Sequence, residues 1–319
     1  MEAAAQFLCV SLNPAIDKRA RATKLGLGAV NRVHDVVPEP GGKAAHVALA
    51  LRALGEAPLW IGFVGGPSGE ALVAGLHAEG IRTQRVDVQA PTRVNLAILD
   101  ETGAVTEILE PGGAISEAEL SLFLAACNNA FAAASRDAYV IFSGSLPPNV
   151  PQDIYAQLIC AGRAAGCETL LDTSATPLAL GLASRPDVTK PNREEAEFLT
   201  GKSIVDVNDA KWAVQEILAR GAGSVALSLG RDGLLWRANS AESVRVARVP
   251  AIEARSAVGS GDATLAGLAH AAARGLSPDE AARFAAACGA ANCLAASPGK
   301  INQRDVRDLM KATAVEVLF

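Results

Sequence analysis

The stretch Val258-Gly259-Ser260-Gly261-Asp262 runs into Ala263-Thr264-Leu265-Ala266-Gly267-Leu268-Ala269-His270, and it opens a helical pattern with small residues and one carboxylate. Glycines let the backbone approach a ligand closely, and the free N–H groups at a helix N-terminus form a site for a phosphate. A carboxylate there would repel the phosphate unless it takes a proton from the attacking group. The pattern therefore indicates phosphoryl transfer to a hydroxyl. The alternative is that Ser260 or Asp262 only caps the helix.

Short apolar runs alternate with helical patterns through most of the chain. We expect strands at 7–12, 59–64, 138–142, 169–171, 188 and 225–229, and helices at 44–54, 69–79 and 151–165. This alternation predicts an α/β fold in which helices cover both faces of a mostly parallel sheet. From residue 253 on, the chain is expected to be helical to near its end.

Two stretches, 18–40 and 81–110, depart from this alternation of strands and helices. The second holds two alternating segments joined by Asp100-Glu101-Thr102-Gly103, which is typical of a hairpin. We expect both stretches to supply strands of a small β-sheet lid. No linker or repeat divides the sequence, so one domain over 1–319 is predicted.

Bulk composition excludes several classes of function. The chain carries a net charge of −5 and has no basic run, which argues against a nucleic-acid or anionic-membrane partner. The longest uncharged apolar stretch, 284–298, is too short to span a bilayer, and residues 1–10 lack the basic start of a signal peptide. The six cysteines form no C-x-x-C pair and are expected to be free thiols in a reducing compartment, so a cytoplasmic location is predicted.

Polar residues near the predicted strand ends are candidates for substrate binding. Asp17, after Leu12-Asn13-Pro14-Ala15-Ile16, could accept hydrogen bonds from sugar hydroxyls or simply form a turn. In Gly41-Gly42-Lys43-Ala44-Ala45-His46, Lys43 could meet a phosphate, or the segment could be a plain loop-to-helix junction. Arg93 suits bidentate phosphate contact, unless it lies on a solvated strand face. Ser143, which opens Ser143-Gly144-Ser145-Leu146-Pro147-Pro148, is expected to line the cleft.

Two later motifs suit a nucleotide. In Lys190-Pro191-Asn192-Arg193-Glu194-Glu195, the spacing of Asn192 and Glu195 is that of a capping box, and the same Glu195 could organise the water around a magnesium ion. Both can hold, because a capped helix end is a well-fixed platform. Ser228-Leu229-Gly230-Arg231-Asp232-Gly233 suits an adenosine-binding edge, and the alternative is a plain hairpin.

Taken in order, these motifs resemble the PfkB (ribokinase-like) carbohydrate kinase family over nearly the whole chain. The start 12–17, the pair Asn31-Arg32 and the segments 92–95 and 143–148 resemble its hexose-phosphate branch, which includes 1-phosphofructokinase and tagatose-6-phosphate kinase. The resemblance implies a ribokinase-like three-layer sandwich with a β-sheet lid, ATP and Mg²⁺ as cofactors, and a homodimer through the lid.

The resemblance also implies roles for individual residues. Asp262 matches the catalytic base, and Gly259, Ser260 and Gly261 match the anion hole. The sugar-binding positions of the family correspond to Asp17, Gly42 and Lys43, with Ser143 lining the cleft. Its contacts to the substrate phosphate correspond to Arg93 and Arg32. The nucleotide-binding positions of the family correspond to Lys190, Asn192, Ser228, Gly230 and Gly233. Its metal-associated pair corresponds to Asn192 and Glu195.

The chain departs from the branch at Ala44 and His46, where a glycine and an asparagine are usual, and that asparagine position faces the sugar. His46 is therefore expected either to donate to a sugar hydroxyl or to pack in the core. The sequence predicts an ATP-dependent kinase of a ketohexose phosphate, either tagatose 6-phosphate or fructose 1-phosphate. The alternatives are a kinase of an unphosphorylated sugar or nucleoside and a non-catalytic sugar-phosphate sensor.

Overall fold

A ten-stranded sheet forms the centre of the molecule in the computed structural model, which describes residues 7–135, 137–239 and 241–318. The strands from β11 to β5 are parallel to one another, and β12, β13 and β14 continue the sheet antiparallel. In spatial order the strands are β14 (Ala314–Leu318), β13 (Val244–Arg248), β12 (Leu234–Arg237), β11 (Ser224–Ser228), β10 (Val188–Thr189), β9 (Glu168–Asp172), β8 (Tyr139–Ser143), β1 (Phe7–Ser11), β4 (Leu59–Val64) and β5 (Arg82–Asp87).

Helices cover both faces of this sheet, because successive buried side chains on each parallel strand point to opposite sides. In β1, Leu8 and Val10 enter one core, and Phe7 and Cys9 enter the other. The first core is covered by α3 (Glu117–Ala133), α4 (Ile154–Ala164), α5 (Ala175–Ala183), α6 (Arg193–Thr200) and α7 (Val207–Ala219). The second is covered by α1 (Lys43–Ala53), α2 (Gly66–Ala78), α8 (Ser260–Ala273), α9 (Pro278–Leu294) and α10 (Gln303–Ala312). The predicted three-layer sandwich is confirmed.

A separate four-stranded sheet forms the lid, in the order β3-β2-β6-β7. Its strands are β2 (Ala15–Ala22), β3 (His34–Gly41), β6 (Arg93–Asp100) and β7 (Val105–Ile108). The predicted hairpin is confirmed: β6 and β7 pair antiparallel, and Asp100 Oδ1 accepts from the N–H groups of Thr102 and Ala104 in the turn. Because β2 begins shortly after β1, the lid rises from the carboxyl end of the main sheet.

Three predicted boundaries were wrong. Residues 82–87, assigned to the lid, form β5 at the edge of the main sheet, where they pair with β4. The helix expected from Pro151 begins at Ile154. The helical region expected from residue 253 begins only at Ser260, and it ends before β14, which pairs with β13 at the sheet edge.

The cysteine prediction agrees with the structure: all six are free, and Cys9, Cys127, Cys167 and Cys288 are buried. Among the described residues, no helix is both long and apolar enough to cross a membrane. The expectation that no signal peptide is present depends largely on residues 1–6, which lie outside the described residues.

Candidate active site

The N-terminus of α8 is a rigid backbone cradle. Its N-cap is Gly259, with φ of 78°, and a Cβ there would lie 2.7 Å from Pro298 Cβ. Asn292 holds the loop from behind, since its Nδ2 donates to Val258 O (2.7 Å) and its Oδ1 accepts from Gly299 N (2.8 Å). The N–H groups at this helix start are therefore fixed in a conformation that favours glycine.

The capping interpretation of this motif is wrong, because no side chain caps α8. Ser260 Oγ instead donates to Gly289 O (3.1 Å), which ties α8 to α9. Asp262 lies in the first turn of α8 and is 5% exposed. Gly261 has the Lys190 ammonium above it, since a Cβ on this glycine would lie 3.0 Å from Lys190 Nζ. Backbone N–H groups, an ammonium and a carboxylate thus converge at one point.

A histidine joins the two acids that the sequence assigned to transfer and to sugar binding. His46 Nδ1 lies 2.9 Å from Asp262 Oδ2, and His46 Nε2 lies 3.0 Å from Asp17 Oδ2. Asp17 also accepts from Asn95 Nδ2 (2.8 Å) and from Gly42 N (3.4 Å). Asp17 and Asn95 are partners in the parallel pairing of β2 and β6, so the lid itself sets this contact.

These contacts favour the protonated form of His46. Burial alone would lower the pKa of His46, but the carboxylates of Asp17 and Asp262 raise that pKa to about 10. Burial would likewise raise the pKa of Asp17, but His46 holds it below its usual value. His46 is buried, as the packing interpretation expected, yet it acts as an ion-pair bridge between two functional elements.

A second buried charge cluster centres on Asp172, which the sequence analysis missed. Its carboxylate is 1% exposed at the end of β9, with Lys43 Nζ 3.1 Å from Oδ1 and Lys190 Nζ 3.4 Å from Oδ2. Burial alone would raise the pKa of Asp172, but the two lysines lower it. An aspartate at the carboxyl end of the apolar run 169–171 was the available signal, because ligands of parallel sheets bind at that edge.

The capping box at α6 is confirmed. Asn192 Oδ1 accepts from Glu195 N (2.8 Å), and Glu195 Oε2 accepts from Asn192 N (2.9 Å). Glu195 Oε1 remains directed toward the cleft, 4.0 Å from Lys43 Nζ. Burial raises the pKa of Glu195, although Lys43 opposes this shift.

Glu195 is the predicted carboxylate partner of a metal. Within the described residues, no group of three or more His, Cys, Asp or Glu side chains could hold a metal ion on its own. Mg²⁺ is usually held by one or two carboxylates together with substrate phosphates and waters. The donor set therefore fits an ion that is bound mainly through the nucleotide.

The segment 228–233, predicted to bind adenosine or to form a plain hairpin, does form the hairpin. β11 and β12 do form an antiparallel pair around the turn at Gly230–Asp232. Ser228 N donates to Pro191 O (3.0 Å), which places this strand end beside Asn192. The Cα of Gly230 faces open space, whereas a Cβ on Gly233 would meet Ala247 O at 2.4 Å. Gly230 can thus admit a ligand, and Gly233 serves strand packing.

The remaining predicted residues are placed less directly. Arg93 is half-buried on β6, and it donates to Asn13 O (3.2 and 3.0 Å) and Glu110 O (2.8 Å). Arg32 lies exposed in the loop between β2 and β3, and no ion pair among the described residues links it to the cluster. Ser143 is buried beside Asp172, and its Oγ lacks a hydrogen-bond partner there.

A cavity of about 450 Å³ separates the lid hairpin from the loop before α8. Glu107 of β7 lines one side, and residues 254–258 line the other. The pKa of Glu107 is raised by burial and by the Asp17 carboxylate. The sequence analysis did not single out Glu107, because it occupies an ordinary polar position in an alternating strand.

Fold and site together define a kinase built on a parallel sheet with a lid. The model of the pfkB family carbohydrate kinases matches residues 7–304. Phosphofructokinase-2 from Escherichia coli, solved in complex with fructose-6-phosphate, is 28% identical, with a TM-score of 0.87 over 97% of this chain and 99% of that one. A candidate phosphofructokinase from Staphylococcus aureus is 26% identical, with a TM-score of 0.80 over 98% and 99%. A possible 1-phosphofructokinase from Thermotoga maritima, 24% identical with a TM-score of 0.87 over 98% and 100%, shares the fold. The chain belongs to the pfkB family of carbohydrate kinases.

Proposed function

We propose that this kinase transfers the γ-phosphoryl group of ATP to a hydroxyl of a ketohexose phosphate, either tagatose 6-phosphate or fructose 1-phosphate. The observation that carries the proposal is the buried Asp262 carboxylate in the first turn of α8, beside free backbone N–H groups. A base and an anion cradle at one helix start are the two parts that phosphoryl transfer to a hydroxyl requires.

The nucleotide side is supported by the arrangement around Lys190. Its ammonium lies over Gly261, where it would meet the transferring phosphate. The strand end at Ser228 and the open face of Gly230 extend from the same edge and would receive the adenosine. Glu195 is the side chain that would hold water around Mg²⁺, which neutralises phosphate charge when bound.

The transfer step follows from the positions of the chain's own groups. Asp262 accepts the proton of the attacking hydroxyl through the carboxylate oxygen that His46 leaves free. The N–H groups of residues 259–262 and the Lys190 ammonium stabilise the charge on the transferring group. The lid keeps water away from the phosphate, so that the sugar rather than water is the acceptor.

Two cationic side chains support the proposal that the substrate sugar already carries a phosphate. Arg93 donates only to carbonyl oxygens in the described part of the chain, so no carboxylate contacts its guanidinium directly. Lys43 is held by Asp172 on the cleft side of α1. Burial lowers the pKa of Arg93, and a phosphate would offset that cost by a charge-assisted contact.

A substrate screen tests this function. The parent protein and Asp262→Asn are assayed by ATP turnover with fructose 1-phosphate, tagatose 6-phosphate, fructose 6-phosphate, fructose and ribose. Turnover that requires a sugar phosphate and Asp262 supports the proposal. Equal use of fructose or ribose would assign the chain to the kinases of unphosphorylated sugars. Binding of a sugar phosphate without any turnover would favour the sensor.

The lid also suits the homodimer that the resemblance implies. Exposed apolar side chains lie on its strands and loops, namely Leu27, Val30, Val33, Val36, Val37, Val105, Ile108 and Leu109. Large exposed apolar patches commonly mark interaction sites. Sedimentation of the parent and of Val37→Lys would test this assembly: a dimer that the substitution dissociates supports it, and a parent that sediments as a monomer contradicts it.

A further inference from the structure

His46 stands between two acids that belong to different parts of the molecule. It lies in α1, two residues after Ala44, and is 4% exposed. One ring nitrogen faces Asp262 on α8 at 2.9 Å, and the other faces Asp17 on β2 of the lid at 3.0 Å. A single side chain thus connects the lid to the helix that carries the base.

Both nitrogens of this ring lie close to carboxylates. A protonated imidazole has two N–H donors and no acceptor; Nδ1 hydrogen-bonds Asp262 Oδ2, and Nε2 forms an ion pair with Asp17 Oδ2 at 3.0 Å. We propose that His46 is a positioning residue that orients Asp262 for proton acceptance and links it to Asp17. The inference rests on the proposed function.

Asp262 depends on this contact more than Asp17 does. Within the described residues, His46 is the one side chain that donates a hydrogen bond to Asp262, and it holds Oδ2. Asp17 keeps two other donors, Asn95 and the N–H of Gly42. Loss of the imidazole should therefore lower kcat more than it raises KM for the sugar.

The charged groups around the ring favour the cationic bridge. Asp17 and Asp262 contact it from β2 and α8, and Glu107 on β7 adds a third negative charge beyond ion-pair distance. Lys43 on its own helix interacts with Asp262, and Arg93 on β6 interacts with Asp17. Without the imidazolium, the carboxylates of Asp17 and Asp262 would face one another across its place, and such like charges repel.

Nitrogen NMR of the histidine rings tests the bridge in the parent protein without any assay of activity. The chain has four histidines, and His46 is identified from the spectrum of His46→Gln or, if that variant does not fold, of Asp262→Asn. We expect the His46 ring to keep both protons up to about pH 9, well above the ordinary histidine value of about 6.5. Titration of His46 near that ordinary value would overturn the bridge.

Kinetics test the positioning role. We expect His46→Leu to lower kcat about ten- to a hundredfold, the cost of a misplaced catalytic group, with a smaller change in KM. His46→Gln, whose amide can still reach one acid, should retain more turnover. His77→Asn is the matched control, because His77 is exposed on α2 and bonds only Thr83 in the described structure.

A double variant separates positioning from direct substrate contact. In an Asp262→Asn background, His46→Leu should cause no further loss of kcat, because the group that it orients is already disabled. An additive loss, or a KM effect that exceeds the kcat effect, would overturn the proposal. If the parent phosphorylates none of the sugars, the proposed function has failed, and the NMR titration still decides the bridge.

Discussion

Replacing Asp172 with asparagine should remove the counter-charge from two lysines at once. The carboxylate is 1% exposed and lies 3.1 Å from Lys43 Nζ and 3.4 Å from Lys190 Nζ. Asparagine has nearly the same shape, so the packing of β9 is kept while the negative charge is lost. Lys190 is itself 4% exposed and cannot regain its hydration without moving.

The expected cost follows from this burial. Breaking a buried ion pair by removing one partner typically costs about 3–5 kcal/mol, because an uncompensated charge stays behind. Unfolding entropy is about 2.1 cal/mol/K per residue, which gives roughly 0.7 kcal/mol/K for a chain of 319 residues. The Tm of Asp172→Asn should therefore fall by about 4–8 °C.

Thermal melts of the parent, Asp172→Asn and Asp308→Asn would measure this difference. Asp308 is a matched control, since it also faces two cations, Arg304 and Lys311, each at 3.9 Å, but is 62% exposed. Its substitution should move Tm by no more than about 1 °C, because exposed pairs contribute little. Equal shifts for the two variants would refute the view that the Asp172 cluster is a buried, interdependent unit.

Further expectations concern the remaining charged groups of the site. Asp262→Asn should retain ATP binding, measured by calorimetry, and lose about 10²–10⁴-fold in kcat, the usual contribution of a general base; a loss of only a few-fold would contradict that role. Glu195→Gln should raise the Mg²⁺ concentration needed for half-maximal activity; a lower Tm with an unchanged Mg²⁺ response would leave only the capping role. Arg93→Ala should lower kcat/KM for the sugar phosphate about ten- to a hundredfold and leave ATP affinity unchanged, and an equal loss with free fructose would argue against a phosphate contact. His46 should make stability depend on pH: its contribution is complete below about pH 6.5 and declines by up to about 1.4 kcal/mol per pH unit as the pH rises toward 10, because the unfolded ring is then neutral and the folded ring is charged. Urea unfolding at pH 7 and pH 9, with His46→Leu as reference, would measure this decline, and equal stabilities would contradict it.

Features set by near neighbours in the chain could be predicted from the sequence. The capping box at α6 needs only Asn192 and Glu195, three positions apart, and it forms as expected. The hairpin turn at Asp100 is also local, as is the glycine at 259 that lets the backbone turn into α8. The alternation of strands and helices predicted the three layers because each segment's own periodicity decides which face is buried.

Other features depended on segments that only the tertiary structure brings together. His46 and Asp262 are 216 positions apart, and Lys43 and Asp172 are 129 apart. No local rule distinguishes an imidazole that packs from one that bridges two acids, since the outcome depends on which carboxylates the fold places beside it. Tertiary contacts also decided that 82–87 joins the main sheet and that Arg93 contacts backbone carbonyls. The sequence by itself determined the elements and the helix start that would hold a phosphate. The tertiary structure decided which charges neutralise one another there, because buried charges are stable only beside partners that distant parts of the chain provide.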